Sequence, residues 1–167
     1  MNISRLTFGV AAILLLVSMP QQGQARIVSE RSYQDMLAKS DLVVIANPIT
    51  KTTDTGERAV LPGIWMQEKD GKQSAIKSIG VETVFAVSAV LKGDATVKQF
   101  TLHHYREAKP SIASDGPSLV RFDPSDMKAR SSYLLFLVRE SDGRFAPVGG
   151  QTDPGMKSIS PIPLELH

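Results

Sequence analysis

The chain has 167 residues with a formal net charge of +2; 22% of the residues are charged and 42% are hydrophobic. This balance is typical of one globular domain plus a processing segment. The sequence shows neither a basic block nor a regular alternation of Lys or Arg with aromatic residues, which argues against a nucleic-acid partner. Cysteine is absent, so disulfides, thiol catalysis and Cys-ligated zinc are excluded and stability must come from the core.

The first 25 residues have the pattern of a secretory signal peptide. Arg5 supplies the positive charge, residues 6–19 form an apolar run, and small residues at Gly23 and Ala25 precede a cut before Arg26. An uncleaved membrane anchor is the alternative, but it needs about 20 apolar residues, and this run is shorter. The sequence therefore predicts export to the periplasm or the extracellular space, with no stable membrane anchor after cleavage.

Residues 26–167 are predicted to form a single β-barrel domain that begins with a short helix. The helix is predicted over residues 29–39, because Ser32 and Asp35 have the spacing of a capping box. Residues 42–46 are a continuous apolar run, which is typical of a strand buried on both faces.

Two structures fit residues 58–80. Asp70 and Gly71 could form a hairpin turn between residues 64–68 and 73–79, or the segment could be a long loop. Trp65, the only tryptophan in the chain, has two corresponding interpretations. It is either a lid that plugs one end of the barrel or an exposed anchor for a partner.

Residues 81–93 give the clearest strand signal, followed by a turn at Gly93 and an antiparallel partner over residues 97–105. Alternation predicts one shared face in the first strand, formed by Val81, Thr83, Phe85, Val87, Ala89 and Leu91. In the second strand it separates Phe100, Leu102 and His104 from Thr101, His103 and Tyr105.

The last third of the chain is predicted to contain one central strand and several short segments. Residues 132–139 are apolar on both faces, Asp142 and Gly143 form a hairpin turn, and Pro147 directs the returning strand to an edge. The remaining segments are predicted as a loop over residues 107–117, a short strand over 118–122, a helical turn over 126–129 and an extended surface segment over 159–164.

Short strands joined by turns predict a mainly β fold, namely a five-stranded antiparallel OB-like barrel with a short N-terminal helix. The five strands are predicted over residues 41–50, 80–91, 97–105, 132–139 and 144–148.

Four motifs in this order resemble a group of exported bacterial domains of unknown function. The motifs are S-D-L-V-V-I-A at 40–46, V-L-K-G-D at 90–94, Y-L-L-F-L at 133–137 and P-V-G-G at 147–150. Those domains are similar to the OB-type barrel of tissue inhibitors of metalloproteinases and netrin-like modules. The resemblance implies the barrel but not the inhibitory wedge, since the inhibitors place an N-terminal cysteine on the protease zinc and this chain has none.

The sequence offers no recognisable catalytic set, metal site or cofactor site. His103 and His104 are adjacent in a predicted strand, so they point to opposite faces and cannot easily share one ion. A G-x-S-x-G elbow and a phosphate-binding glycine pattern are both missing from the sequence.

Loops and one sheet face are where OB-type barrels bind ligands. The predicted lining of such a site is Trp65, His103, Tyr105, Arg106 and Arg121. The favoured function is an exported, non-catalytic binding or interaction module for an unknown protein or glycan. The alternatives are an inhibitor of an exported peptidase that acts through the barrel loops and a hydrolase with an unrecognised site.

Overall fold

The computed structural model describes residues 24–28, 31–68, 70–108, 114–115, 121–125, 132–150 and 158–162. These residues contain one helix and nine strands. In chain order they are β1 (Gln24–Val28), α1 (Tyr33–Lys39), β2 (Leu42–Pro48), β3 (Thr53–Gln67), β4 (Gln73–Lys92), β5 (Gln99–Glu107), β6 (Ser114–Asp115), β7 (Ser132–Arg139), β8 (Phe145–Pro147) and β9 (Ile159–Ile162). Within this described part, no helix has the length and apolar character needed to cross a bilayer.

Five strands close into a barrel in the order β2, β4, β5, β8, β7 and back to β2. Four of the five contacts are antiparallel, whereas β5 and β8 run parallel and meet at Leu102 and Phe145. The predicted five-stranded β-barrel is therefore confirmed, but the prediction of a purely antiparallel one is wrong. A closed ring with an odd number of strands cannot alternate direction at every contact, so one pair has to be parallel.

Helix α1 packs on the outside of the barrel. Ser32 caps it as predicted, because its Oγ accepts from the Asp35 backbone N–H at 3.1 Å. Met36 is its buried residue and forms a small cluster with Val43 and Phe136. The Lys92 ammonium donates to the Leu37 carbonyl at 2.6 Å, which ties the end of the helix to β4.

The barrel interior is filled by aromatic and branched aliphatic side chains, with Phe85 at its centre. Phe85 stacks on Phe100 and meets Phe122 and Tyr133 edge-on, with ring centroids 4.9–6.2 Å apart. Such pairs contribute on the order of 1 kcal/mol each beyond the area they bury. The shared face predicted for this strand is confirmed at Val81, Thr83 and Phe85, which are all buried.

The same strand departs from the predicted alternation at its end. Leu91 is 58% exposed rather than buried. The register of β2 leaves Ser88 and Leu91 without a partner, and both lie in β-bulges. The bulge at Ser88 turns Val90 instead of Leu91 towards the core. An extra residue in one strand reverses which side the following side chains face.

Strands β3 and β4 extend beyond the barrel as a two-stranded ribbon. The ribbon ends in the predicted Asp70–Gly71 turn, where Gly71 has a φ of 82° and the Glu68 N–H donates to the Lys72 carbonyl at 2.8 Å. The hairpin alternative is thus confirmed and the long-loop alternative is wrong. Strand β1 pairs with the outer edge of β3, and β6, which falls in the predicted 107–117 loop, pairs with β1.

The prediction of a surface segment over residues 159–164 is wrong for strand β9. Ile159 is buried in the barrel core, and β9 pairs with β7 instead of lying on the surface. Strands β8 and β9 lie end to end along the same edge of β7. Phe136 joins them, because its N–H donates to the Ser158 carbonyl and its carbonyl accepts from the Val148 N–H, both at 2.9 Å. Two prolines in the segment concealed this strand in the sequence. Residues 163–164 lie outside the described residues.

Phe122 closes one end of the barrel. Its side chain is 1% exposed and packs on Phe85, His104 and Tyr133. The Thr52 N–H donates to the Phe122 carbonyl and the Phe122 N–H donates to Thr52 Oγ1, both at 3.0 Å. The position that the lid interpretation gave to Trp65 is thus filled by Phe122. Phe122 is not in a strand, and the rest of the predicted strand, residues 118–120, lies outside the described residues, as does the predicted turn over 126–129.

Candidate functional site

The outer side of β4 and β5 carries a cluster of ionisable side chains. Glu82 on β4 and His103 on β5 are direct cross-strand partners, so their side chains lie on the same side of the sheet. Tyr105 follows on that side, with its ring centroid 5.0 Å from that of His103. His104 points the opposite way, into the barrel, as alternation predicts.

Carboxylates from two connecting segments of the chain lie beside the ring nitrogens of His103. Its Nδ1 lies 2.9 Å from both carboxylate oxygens of Glu140, which follows β7. A carboxylate only accepts hydrogen bonds, so Nδ1 is the donor in this contact. On the other side, His103 Nε2 lies 3.3 Å from Glu57 Oε2 but makes no hydrogen bond with good geometry to any described group. The imidazole is held between two segments, and its side chain is only 3% exposed.

Gly80 makes room for this arrangement. A Cβ at that position would lie 2.7 Å from Thr55 Oγ1, 3.0 Å from the Cβ of Glu57 and 3.1 Å from His103 Nε2. A Cβ essentially never lies within 3.0 Å of an atom to which it is not bonded, so any other residue would force Thr55, and with it the β3 segment beside His103, to shift. The glycine therefore sets the distance between β3 and the imidazole.

Arg144, just before β8, binds the carboxylates together. Its guanidinium lies within 2.6–3.5 Å of four of them. They belong to Glu57, Glu82, Glu140 and Asp142. Burial alone would lower the pKa of Arg144, but the hydrogen bonds to Glu82 and Glu57 outweigh it and the pKa is raised. Arg144 thus stays a cation and links three separate segments of chain.

The face has an excess of negative charge. Four carboxylates surround one guanidinium, and the electrostatic effect reaches Tyr105. Its pKa is raised, first by burial and then by the charges of Glu57 and Glu140. Glu57 and Asp142 are about half exposed, so part of this negative charge is open to a partner.

His104 occupies a different environment inside the barrel. Burial, with a smaller effect from the charge of His103, lowers the pKa of His104 to about 3. Its Nε2 lies 3.4 Å from Thr83 Oγ1, while its Nδ1 has no hydrogen-bond partner among the described residues. His104 is therefore a neutral core residue.

The structure divides the predicted lining into separate groups. His103 and Tyr105 belong to the charged outer face. Arg106 alternates onto the other side of β5, where its Nε donates to Asp54 Oδ1 at 2.8 Å and the Asp54 pKa is lowered by that contact. Arg121 is exposed and also lowers the Asp54 pKa by its charge.

Trp65 lies further along the ribbon. It pairs with Ala75, whereas Tyr105 pairs with Gly80. Five residues of extended chain separate these two positions of β4, which is about 17 Å. Trp65 is 37% exposed and shares no contact surface with the His103 cluster on this register. The five predicted residues are thus not one site.

Sequence reasoning missed the carboxylates and Arg144. The contacts that join His103, Glu82 and Glu57 to Glu140 and Arg144 span 37 to 87 positions of the chain, so no local motif marks the cluster. One signal was accessible: the turn predicted at Gly93 pairs β4 with β5 in a register that puts Glu82 opposite His103. Within the described ranges, no group of three or more His, Asp or Glu side chains could hold a metal ion.

The chain matches no protein-family model, no curated protein and no solved structure. Function is therefore inferred from the geometry and chemistry of the described residues.

Proposed function

We propose that the protein is an exported, non-catalytic interaction module on an OB-type barrel and that it binds a partner protein with the outer face of β4 and β5. The strand order supports the OB assignment. Numbered along the chain, the barrel strands β2, β4, β5, β7 and β8 pair in the ring order one, two, three, five, four, a Greek-key arrangement. OB-type barrels bind ligands on the face of strands two and three and on the loops after strands one and four.

One observation carries the proposal. The two connections that flank the ligand face of an OB-type barrel are the ones that meet at His103. Glu57 lies between barrel strands one and two, Glu140 lies between strands four and five, and His103 is on strand three. Both connections are thereby fixed beside the face, which reduces the conformational entropy lost when a partner binds.

The chemistry of the cluster favours binding over catalysis. His103 is buried between Glu57 and Glu140, so a substrate could not reach its ring without displacing them. Arg144 is engaged with four carboxylates. These contacts fix the conformation of the surface. The accessible groups at its edge are carboxylates and the ring of Tyr105.

The charge of the face indicates the kind of partner. An acidic surface with an aromatic ring suits a protein surface that presents Lys or Arg, because complementary charge raises the association rate and selects the partner. A neutral glycan could stack on Tyr105 and donate hydroxyl hydrogen bonds to the carboxylates, but unlike a cationic partner it would gain nothing from their net charge. The proposed partner is therefore a protein with a basic patch.

The experiment compares variants of the mature chain in capture from an envelope extract of the producing cells. Tyr105→Ala and Glu82→Gln change the face, while Tyr33→Ala and Glu68→Gln are matched changes at exposed positions elsewhere. We expect one retained protein to be lost with the face variants, retained with the matched variants, and released by raised salt. Equal retention by all five proteins would contradict the proposal, and a retained species that resists protease but not glycosidase would identify a glycan instead.

A further inference from the structure

The ribbon formed by β3 and β4 has a second exposed face, opposite to the charged outer face. Arg58 pairs with Ile79 and Val60 pairs with Lys77, so these four side chains share one side. Trp65 joins them through its pairing with Ala75, which is two residues from Lys77 on the same strand. Val60 is 53% exposed, an unusual degree of exposure for a β-branched apolar side chain on a paired strand.

A cavity of about 250 Å³ lies beside this face and is lined from both sides of the ribbon, since the side chains of Ala59 and Ser78 alternate to the side opposite Arg58 and Lys77. It is lined by Arg58, Ala59, Lys77, Ser78 and Ala108. The two cations differ from their neighbour Arg106, which is neutralised by Asp54. No described carboxylate lies within ion-pair distance of Arg58 or Lys77. The cavity therefore presents two positive charges without a counter-charge from the described chain.

We propose that this face is a binding cleft for an extended acidic peptide segment of a partner protein, with a carboxylate in the cavity and an apolar side chain on Trp65. The proposal concerns a site separate from the charged outer face and does not depend on it. Arg58 and Lys77, which have no counter-charge among the described residues, recognise a carboxylate by charge. Trp65 and Val60 provide apolar area beside them, as is typical of the anchor positions of protein interfaces.

The spacing along the ribbon defines the motif. Ala75, the partner of Trp65, and Lys77 are two residues apart in β4, which corresponds to about 7 Å. Side chains two residues apart in an extended peptide point to the same side at the same spacing. The cleft therefore fits a peptide in which an acidic residue and a large apolar residue are separated by one residue.

The test uses the full mature chain and labelled peptides of serine that contain one Glu-x-Leu motif. Matched peptides carry Gln or Lys instead of Glu, and a fourth has Glu and Leu adjacent. We expect the Glu-x-Leu peptide to bind at least tenfold more tightly than the other three, and raised salt to remove the difference.

Variants assign the binding to the cleft. Arg58→Gln with Lys77→Gln, and separately Trp65→Ala, are expected to weaken the Glu-x-Leu peptide at least tenfold, whereas Lys98→Gln, at an exposed lysine of the β4–β5 connection, leaves it unchanged. Tyr105→Ala tests the outer face in parallel and is expected to have no effect here. Circular dichroism verifies that each variant is folded.

Three results would overturn the proposal. They are equal binding of the Glu and Gln peptides, unchanged binding by the double variant, and displacement by inorganic phosphate at the concentration of the peptide itself. The last would show a simple anion site without recognition of a peptide.

Discussion

The Nδ1 atom of His103 lies 2.9 Å from both carboxylate oxygens of Glu140, across the parallel junction that closes the barrel. At this junction β5 and β8 share one backbone pair, Leu102 with Phe145. The other four contacts of the ring have three to nine pairs in register. Side chains thus reinforce the β5–β8 junction, the seam of the barrel, where backbone pairing is sparse. The same side chains form the proposed ligand face.

Removal of Glu140 is expected to loosen this seam. Glu140→Ala leaves the buried His103 without its hydrogen-bond acceptor, which costs about 1–3 kcal/mol of unfolding free energy. Hydrogen exchange should accelerate at the amides of β8 more than at those of β2. Glu68→Ala, at the exposed hairpin end, is the matched control and should change neither quantity. Equal exchange in both variants would show that the side-chain contact does not support the seam.

Substitution of Gly80 is expected to separate β3 from His103. Gly80→Ala puts a Cβ 2.7 Å from Thr55 Oγ1, and overpacking of this kind costs about 1–3 kcal/mol. Thr55→Ala removes the nearest clashing atom, so the double variant should recover part of the loss in a denaturant titration. If the single variant is as stable as the wild type, the segment that carries Glu57 is not held against β4.

Phe122→Ala tests which aromatic residue closes the barrel. Loss of a buried Phe side chain usually costs about 3–5 kcal/mol, because a cavity remains. Trp65→Ala, a larger truncation at an exposed ribbon position, should cost less than about 1 kcal/mol. Denaturant titrations measure the free energy of unfolding of both variants. A larger loss for Trp65→Ala than for Phe122→Ala would show that Trp65 is the lid.

Local patterns predicted the strands well where alternation, turns and glycines agree. The pairing of residues 80–91 with 97–105 followed from the turn at Gly93, whose φ is 99°. The hairpin at Gly71 had the same kind of signal. Both predictions needed only neighbours in the chain.

Long-range features could not be read in the same way. The parallel junction of β5 with β8 depends on how the ring closes, and the bulge at Leu91 depends on the length of β2 against β4. The charged face needs Glu57, His103 and Arg144 together, although they come from three distant segments. Phe122 was predicted at the end of a strand over residues 118–122, whereas its position in the structure depends on two hydrogen bonds with Thr52.

The proposed signal cleavage has a structural consequence. The cut before Arg26 falls inside β1, between Ala25, which pairs with Asp115 of β6, and Arg26, which pairs with Met66 of β3. Backbone in a paired strand is not accessible to a protease, so the predicted cleavage would have to precede folding. We expect the exported protein to begin at Arg26 by mass spectrometry, and the refolded precursor to resist signal peptidase. Efficient cleavage of the refolded precursor would contradict the pairing of β1.

His104 is expected to make the protein sensitive to acid. The pKa of His104 in the folded state is about 3, below the ordinary value of 6.5, because burial disfavours the charged form. Above pH 6.5 the imidazole is neutral in both states, so its contribution to stability is fully present there. As the pH falls from 6.5 towards 3, the unfolded chain takes up a proton that the folded chain does not, and the free energy of unfolding falls.

The size of this effect follows from the pH interval between the pKa values of His104 in the unfolded and folded chains. Each pH unit within it corresponds to about 1.4 kcal/mol, so acidification from about pH 7.5 to about pH 4.5 should remove roughly 2–3 kcal/mol through this one residue. His104→Gln does not titrate but keeps a polar group for Thr83, and its loss over the same interval should be smaller by that amount. Carboxylates that titrate below neutral pH act in both proteins and cancel in the difference. Parallel urea titrations at the two pH values measure the difference between the losses of the wild type and of His104→Gln. Identical losses would mean that the imidazole is protonated equally in the folded and unfolded chains.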